Sequence, residues 1–447
     1  NIPTRSLQLL LFIFTISLLT TVSAVKKSYD GYSLYKVIPK DDSEVKILEE
    51  VQKKGLGEFW NDDVNVNDDI RVMVSPEKRE DTIRPILYFN TALTMYLITF
   101  VSRAIDDQLK PATIKISQSY LSYSWSEYQD LDAIYNWLDE LETNHPNVAR
   151  TVVMGNSVEN REIKGIIINH HPERTNPLYG ILEGTLHARE WISAATVTWI
   201  IKEFLTNSDP VVRALAENFE WHIFPVVNPD GYAYTFSHDR MWRKNRSPES
   251  STTCPVQDDD MSNAVGATQD ACSNTFAGPV PFSEPESRAI ANYVGNLKER
   301  GEIIYYIAFH SYTQLIIIPY SHVFSEEYWL SAADALKGRY RTNYRVGLSA
   351  NVMYRMSGAS FDWVKHAANV PITYLFELRD LGEFGFLLPA AQIIPTGLET
   401  MDALIEMDRV TRRLGYYSDY YSSGTYCVFH STSVITLMFG LFMVMFN

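Results

Sequence analysis

The sequence predicts an α/β chain whose larger part is a mixed, mostly parallel sheet covered by helices on both faces, preceded by a small α+β domain. Three observations carry this expectation. From about residue 120 onward, apolar strands alternate with helical patterns. Those strands are predominantly apolar, as in sheets buried on both faces. Before Lys110 the texture differs: short apolar runs are separated by the acidic clusters Asp41-Asp42, Glu49-Glu50, Asp62-Asp63 and Asp68-Asp69. At 447 residues the chain exceeds one average domain and suits a large core with an accessory unit.

Taken in order, residues 1–24 read as a signal peptide. Arg5 precedes an apolar run from Leu9 to Leu19, and Val22-Ser23-Ala24 offers a small-residue cleavage site, which implies a secreted, extracellular protein. In the first domain, over 25–115, residues 43–51 have helical spacing and 70–74 read as a strand. The apolar stretch 86–101 is interrupted by Asn90, Thr91, Thr94 and Thr99 and is short for a membrane span, so it reads as buried or irregular structure. The second domain, over 120–415, is expected to hold helices at 131–141, 194–205 and 399–413 and strands at 151–154, 163–168, 179–186, 221–227, 303–309, 315–320 and 372–378. Ser283 and Glu286 have the spacing of a capping box, with Pro285 early in the helix that they would open. The tail, 416–447, carries small residues at Ser422-Ser423-Gly424 and ends in an apolar run. It resembles a lipid-anchor signal and is the one expected route to a membrane, at the outer cell surface.

Composition narrows the function. Hydrophobic residues make up 46% and charged residues 21%, a globular balance, and the net charge of -15 argues against nucleic acid, whose phosphates it would repel. Of three cysteines, Cys254 and Cys272 are close enough to staple one loop, which leaves Cys427 unpaired. Three free thiols are the alternative.

The chemistry gathers at strand ends, where open α/β sheets place their sites. In Gly184-Thr185-Leu186-His187-Ala188-Arg189-Glu190-Trp191 a strand runs into a helix, with an imidazole and a carboxylate three apart. His310 ends the strand at 303–309 and supplies a second imidazole. His187, Glu190 and His310 make a His2Glu set that suits one zinc ion with an open position. Glu377, at a third strand end, is placed as a general base for metal-assisted amide hydrolysis. Singly, a strand-end histidine is more often a satisfied core residue, and Glu377 beside Arg379 reads equally as half of a buried ion pair.

Together with Asn228-Pro229-Asp230-Gly231-Tyr232, Arg240-Met241-Trp242-Arg243-Lys244, His310-Ser311-Tyr312, Ser357-Gly358, Asp362-Trp363 and Phe376-Glu377-Leu378-Arg379-Asp380, the chain resembles the zinc carboxypeptidases of the pancreatic A/B type, in a secreted, insect-like digestive form. The resemblance runs in order from about Tyr29 to Arg413. It implies a carboxypeptidase-like fold behind an activation prosegment, a monomer, peptide or protein C-termini as substrate, and an activating endoprotease that cuts near Lys110 or Lys115. It implies that His187, Glu190 and His310 bind zinc, that Glu377 is general base and acid, and that Arg243 polarises the scissile carbonyl. Arg189 and Tyr312 would line upstream subsites and Tyr354 would close over the substrate. Phe361, with Ser349 and Ser321 nearby, would line the pocket for the C-terminal side chain, and no carboxylate is expected there. Aromatic and aliphatic C-terminal residues are therefore the expected substrates. The acidic prosegment would cover a groove whose functional charges are Arg189 and Arg243.

One run departs from the family. Between its loop cysteines the family carries an Asn-Arg pair that grips the substrate carboxylate, and an acid behind the first zinc histidine. Here Pro255-Val256-Gln257-Asp258-Asp259-Asp260-Met261-Ser262-Asn263-Ala264 is shorter and holds no arginine. A charged hydrogen bond of that kind contributes about 1.5–3 kcal/mol, so one to two decades in kcat/KM are at stake. Three accounts compete: a missing short coding piece, an exopeptidase of weakened activity, and a pseudoenzyme that keeps zinc and only binds peptides or proteins.

Overall fold

The computed structural model describes residues 26–61, 64–89, 94–98, 101–112, 119–248, 267–268, 270–320 and 331–418. The first unit is a four-stranded antiparallel sheet of β1 (Ser33–Val37), β2 (Glu58–Phe59), β3 (Ile70–Val74) and β4 (Thr94–Ile98), in the order β2-β3-β1-β4. With it go the helices α1 (Asp42–Lys53), α2 (Arg79–Phe89) and α3 (Val101–Gln108). Asp41 caps α1 by accepting from the amides of Ser43 and Glu44. The apolar stretch 86–101 thus supplies the end of a helix, an edge strand and the start of another helix.

After the short hairpin β5 (Ser119–Tyr120) and β6 (Tyr123–Ser124), the second unit is built on an eight-stranded sheet. Its strands are β7 (Ala149–Asn156), β8 (Glu162–Ile168), β9 (Leu178–Gly184), β10 (Glu220–Phe224), β11 (Glu302–Ser311), β12 (Leu315–Ile318), β13 (Arg345–Leu348) and β14 (Ile372–Leu378). The order is β13-β12-β14-β11-β9-β10-β8-β7. Pairs β12/β13, β11/β14, β9/β11 and β9/β10 are parallel, and the remaining three are antiparallel.

Helices α4 (Leu131–Asn144), α5 (Trp191–Thr206), α6 (Pro210–Glu217), α9 (Ser331–Tyr340) and α12 (Ile393–Arg413) pack their apolar residues in one core. On the opposite face α8 (Pro285–Arg300) and α11 (Ser360–Ala367) build a second core. Helix α7 (Pro229–Ser237) and the single turn α10 (Ser349–Val352) complete the described α-helices. Burial on both faces explains why β9, β11 and β14 are apolar almost throughout.

Two expectations need correction. Ser283 and Glu286 do not form a capping box: Glu284 is the N-cap of α8, the Ser283 hydroxyl donates to Glu284 Oε1 at 2.8 Å, and Glu286 accepts from the Val158 amide and Asn245. Helix α12 begins at Ile393 rather than 399. Pro395 sits in its first turn, where the missing N–H has no intrahelical partner to lose.

Candidate active site

Strands β9, β11 and β14 run parallel and end together, which brings the ends of three apolar strands to one rim. The rim begins with strain. Thr185, just past β9, has φ 57, a left-handed conformation that a β-branched residue rarely adopts. It is held by the Ser193 hydroxyl, which accepts from the Thr185 amide at 2.9 Å, and by the Thr185 hydroxyl donating to the Pro225 carbonyl at 3.1 Å. The turn that follows delivers His187 and Glu190 before α5 starts. Glu190 is the N-cap of α5 yet makes no side-chain capping bond, so its carboxylate is left for the site.

That carboxylate bridges two imidazoles. Glu190 Oε1 lies 2.7 Å from His187 Nδ1, and Oε2 lies 3.1 Å from His310 Nδ1 and accepts from the Ser311 amide at 3.2 Å. The two Nδ1 atoms face each other at 3.1 Å. All three residues offer ligand atoms within 4.8 Å of one another. Two nitrogens bound to one tetrahedral zinc at ~2.0–2.1 Å would stand roughly 3.3 Å apart, so this donor set fits that ion. Burial and the Arg243 charge lower the His187 pKa to about 4, which keeps the ring neutral, as a ligand must be. Burial also opposes charge on His310, but the Glu190 carboxylate outweighs it and pushes His310 up to about 9.

Glu377 pairs with His310 across β14 and β11, so it sits beside the donor set. Its neighbour Arg379 is engaged elsewhere, by Glu399 at 2.8 Å. A cavity of about 640 Å³ opens over these groups and is lined by His187, Arg189, Glu190, Arg243, His310, Tyr312, Tyr354 and Glu377. The Arg243 guanidinium donates to the Asn274 carbonyl at 2.7 Å.

The pocket residues named from the sequence are placed differently. Phe361 is fully buried in the core of α11 and does not line the cavity; the adjacent Ser360 does. Ser349 is buried too, and its hydroxyl donates to the Tyr354 carbonyl at 2.6 Å, which anchors the segment carrying that tyrosine. Ser321, Cys254, the run 255–264, residues 1–24 and most of the tail lie outside the described residues. Cys272 is disulfide-bonded.

Two residues of the Asn228-Pro229-Asp230-Gly231-Tyr232 run, given no role from the sequence, shape the site. Asn228 ties two segments together: its amide donates to the Leu186 carbonyl at 3.0 Å and the Lys244 carbonyl at 3.1 Å, beside the Ala188 amide bonded to Arg243 O. A Cβ on Gly231 would come within 2.6 Å of Lys244 O and 2.8 Å of Ala188, so only glycine fits there. The Asn-Pro that opens α7 was the available signal.

The first unit closes the other side. Trp60, Asn61, Asp68, Asp69 and Arg71 line the same cavity. Glu58 stands 3.7 Å from Arg189 and 3.7 Å from Lys27. Trp60 packs on Phe386 at 5.3 Å and edge-on to Tyr312 at 6.4 Å, within a core that joins both units. At the end of α3, Gln108 accepts from the buried Arg240 guanidinium at 2.8 Å and donates to the carbonyls of Phe386 and Leu388.

These features agree with what the chain is similar to. A family model described as zinc carboxypeptidase matches residues 134–403, and one described as carboxypeptidase activation peptide matches residues 35–84. The chain is 42% identical over 306 residues to the zinc carboxypeptidase of Simulium vittatum, covering 65% of this chain and 99% of that protein. It is 36% identical over 422 residues to zinc carboxypeptidase A 1 of Anopheles gambiae, covering 90% and 94%. Among solved structures, the carboxypeptidase A from Helicoverpa armigera is 25% identical with a TM-score of 0.72, covering 88% of this chain and all of that one. Thrombin activatable fibrinolysis inhibitor is 26% identical with a TM-score of 0.75, covering 85% and 98%. A catalytic body with a His2Glu donor set at its strand ends, covered by an activation-peptide unit, places this chain in the zinc carboxypeptidase family.

Proposed function

We propose that the protein is a secreted proenzyme that hydrolyses the last peptide bond of peptides or proteins and releases apolar C-terminal residues. The observation that carries this is the convergence of His187, Glu190, His310 and Glu377 on one cavity. His187, Glu190 and His310 hold zinc, which when bound supplies a Lewis acid for the scissile carbonyl and for water. Glu377 takes the proton of the attacking water and returns it to the leaving amine. Arg243 offers a fixed cation to the oxygen that gains charge. Arg189 and Tyr312 engage the residues upstream of the scissile bond, and Tyr354 closes over the substrate. Cys254 is the proposed partner of Cys272.

Latency follows from the first unit. Its residues wall the cavity, its Glu58 faces Arg189, and its Trp60 covers Tyr312. Substrate reaches the upstream side only after that unit leaves. The exposed Lys110, after α3, is a cutting point open to a protease. Among the described residues no helix is long and apolar enough to cross a membrane, and a lipid anchor in the tail remains part of this proposal.

A second reading is favoured by one observation: the run between Cys254 and Cys272 lacks the family's Asn-Arg clamp. On that reading the protein binds zinc and peptide C-termini without turnover. The two separate on the matured protein, by elemental zinc analysis alongside release of C-terminal Phe from a blocked dipeptide. One zinc per chain, with turnover that Glu377→Gln abolishes, supports the enzyme. One zinc without turnover supports the binder.

A further inference from the structure

We propose that Glu183 sets the preference of the cavity for the departing residue, favouring a C-terminal side chain with a hydroxyl at its tip, tyrosine, over phenylalanine. This rests on the reading above that aromatic and aliphatic C-termini enter the cavity, and it narrows that class.

The register fixes where Glu183 stands. It pairs with Ala308 on β11, and Ala308 pairs with Leu375 on β14. His310 and Glu377 pair two residues further on along the same face. The Glu183 row therefore lies about 6.6 Å below the reacting row. By standard bond lengths a tyrosine hydroxyl stands roughly 6.5 Å from its Cα, so it reaches from one row to the other. Ala308 contributes only a methyl to the floor between them.

The chemistry at that depth is unfinished. Glu183 is fully buried, and its Oε1 accepts from the hydroxyls of Tyr306 at 3.2 Å and Ser360 at 3.1 Å. Its Oε2 is buried with no partner among the described residues, and so is Thr373 Oγ1, opposite Tyr306 on the same face. Ser360 lines the cavity together with Leu375 and its hydroxyl bonds Oε1, so the Glu183 carboxylate stands directly behind a lining side chain. Buried polar groups without partners are rare in folded proteins and point to a ligand or water. A site that bonds a substrate hydroxyl discriminates strongly against the analogue that lacks it. Burial holds the Glu183 carboxyl above the usual range, which suits a neutral hydroxyl partner better than a lysine or arginine cation.

The test reads binding rather than turnover. The zinc-loaded, matured Glu377→Gln protein is titrated by calorimetry with blocked dipeptides ending in Tyr, Phe, Lys or Arg. Tyr should bind at least about fivefold more tightly than Phe, as one hydrogen bond to a buried acid allows. Adding Glu183→Leu should bring the ratio to about one, while Ser360→Ala, which keeps the acid and frees a lone pair on Oε1, should keep or widen it. Equal binding of Tyr and Phe, tighter binding of Lys or Arg, a preference that survives Glu183→Leu, or one lost in Ser360→Ala overturns the assignment. Tyr-selective binding by a protein that hydrolyses neither peptide leaves the assignment standing and removes the hydrolase reading. Hydrolysis without Tyr preference does the reverse.

Discussion

Trp60→Ala is the sharpest perturbation of the cover over the cavity. The indole is 3% exposed and sits in the core that joins the two units, against Phe386 and Tyr312. A tryptophan buries 150–250 Å², and if about half of that faces the catalytic body, its loss costs about 2.5 kcal/mol at ~25 cal/mol/Å². Each of the two aromatic contacts adds about 0.5–1.5 kcal/mol. The cleaved first unit should therefore bind about two and a half to four decades more weakly. The assay is retention: the chain is cut after α3, and the fraction of the first unit still attached is followed against dilution by analytical sizing. A dissociation constant within threefold of the unmutated protein would refute the reasoning, since it would mean that Trp60 stabilises only its own unit.

Other outcomes follow from the same contacts. Glu58→Gln should weaken retention much less, about three- to tenfold, because the pair to Arg189 is 3.7 Å long and a quarter of the Glu58 side chain meets solvent; sizing of the cut chain reads it. His310→Ala removes one of three donors and should reduce bound zinc from one per chain to near none by elemental analysis, with the fold retained by circular dichroism. Burial holds His170 down to about 4, beside Arg213 and with its ring bonded to the Phe204 carbonyl at 3.0 Å. A lowered histidine pKa contributes stability that is present above the ordinary value near 6.5 and is lost as pH falls toward 4. His170→Gln should thus match the unmutated chain at pH 7.5 and exceed it by about 1–2 kcal/mol at pH 4.5 in urea unfolding, after discounting for its partial exposure.

Which parts were legible from sequence follows from how local the signal was. Strands 163–168 and 372–378 are short, mainly apolar runs, and their pattern alone placed them within a residue. His187, Glu190 and His310 were legible because strand ends concentrate chemistry and the spacing is short. Phe361 was misplaced because residue type gives no facing at a helix start: α11 turns Phe361 into the core and leaves Ser360 at the cavity. Glu183 was passed over because an acid inside an apolar strand declares itself only through register, with Ala308 beside it and Ser360 arriving from far along the chain. Trp60 and Gln108 belong to contacts between units, which no local pattern records.

The bond between Gln108 and Arg240 bears on the order of events in activation. Arg240 is buried, stacked 3.7 Å over Trp191, and takes an acceptor from the last residue of α3. The anchors to the catalytic body, from Glu58 to Gln108, all lie before Lys110. A cut at Lys110, as proposed, would therefore sever the connection while leaving the grip intact, and the freed piece would stay behind as a noncovalent inhibitor. Once the protease is in excess, the lag before full activity should be set by a first-order departure that more protease cannot shorten.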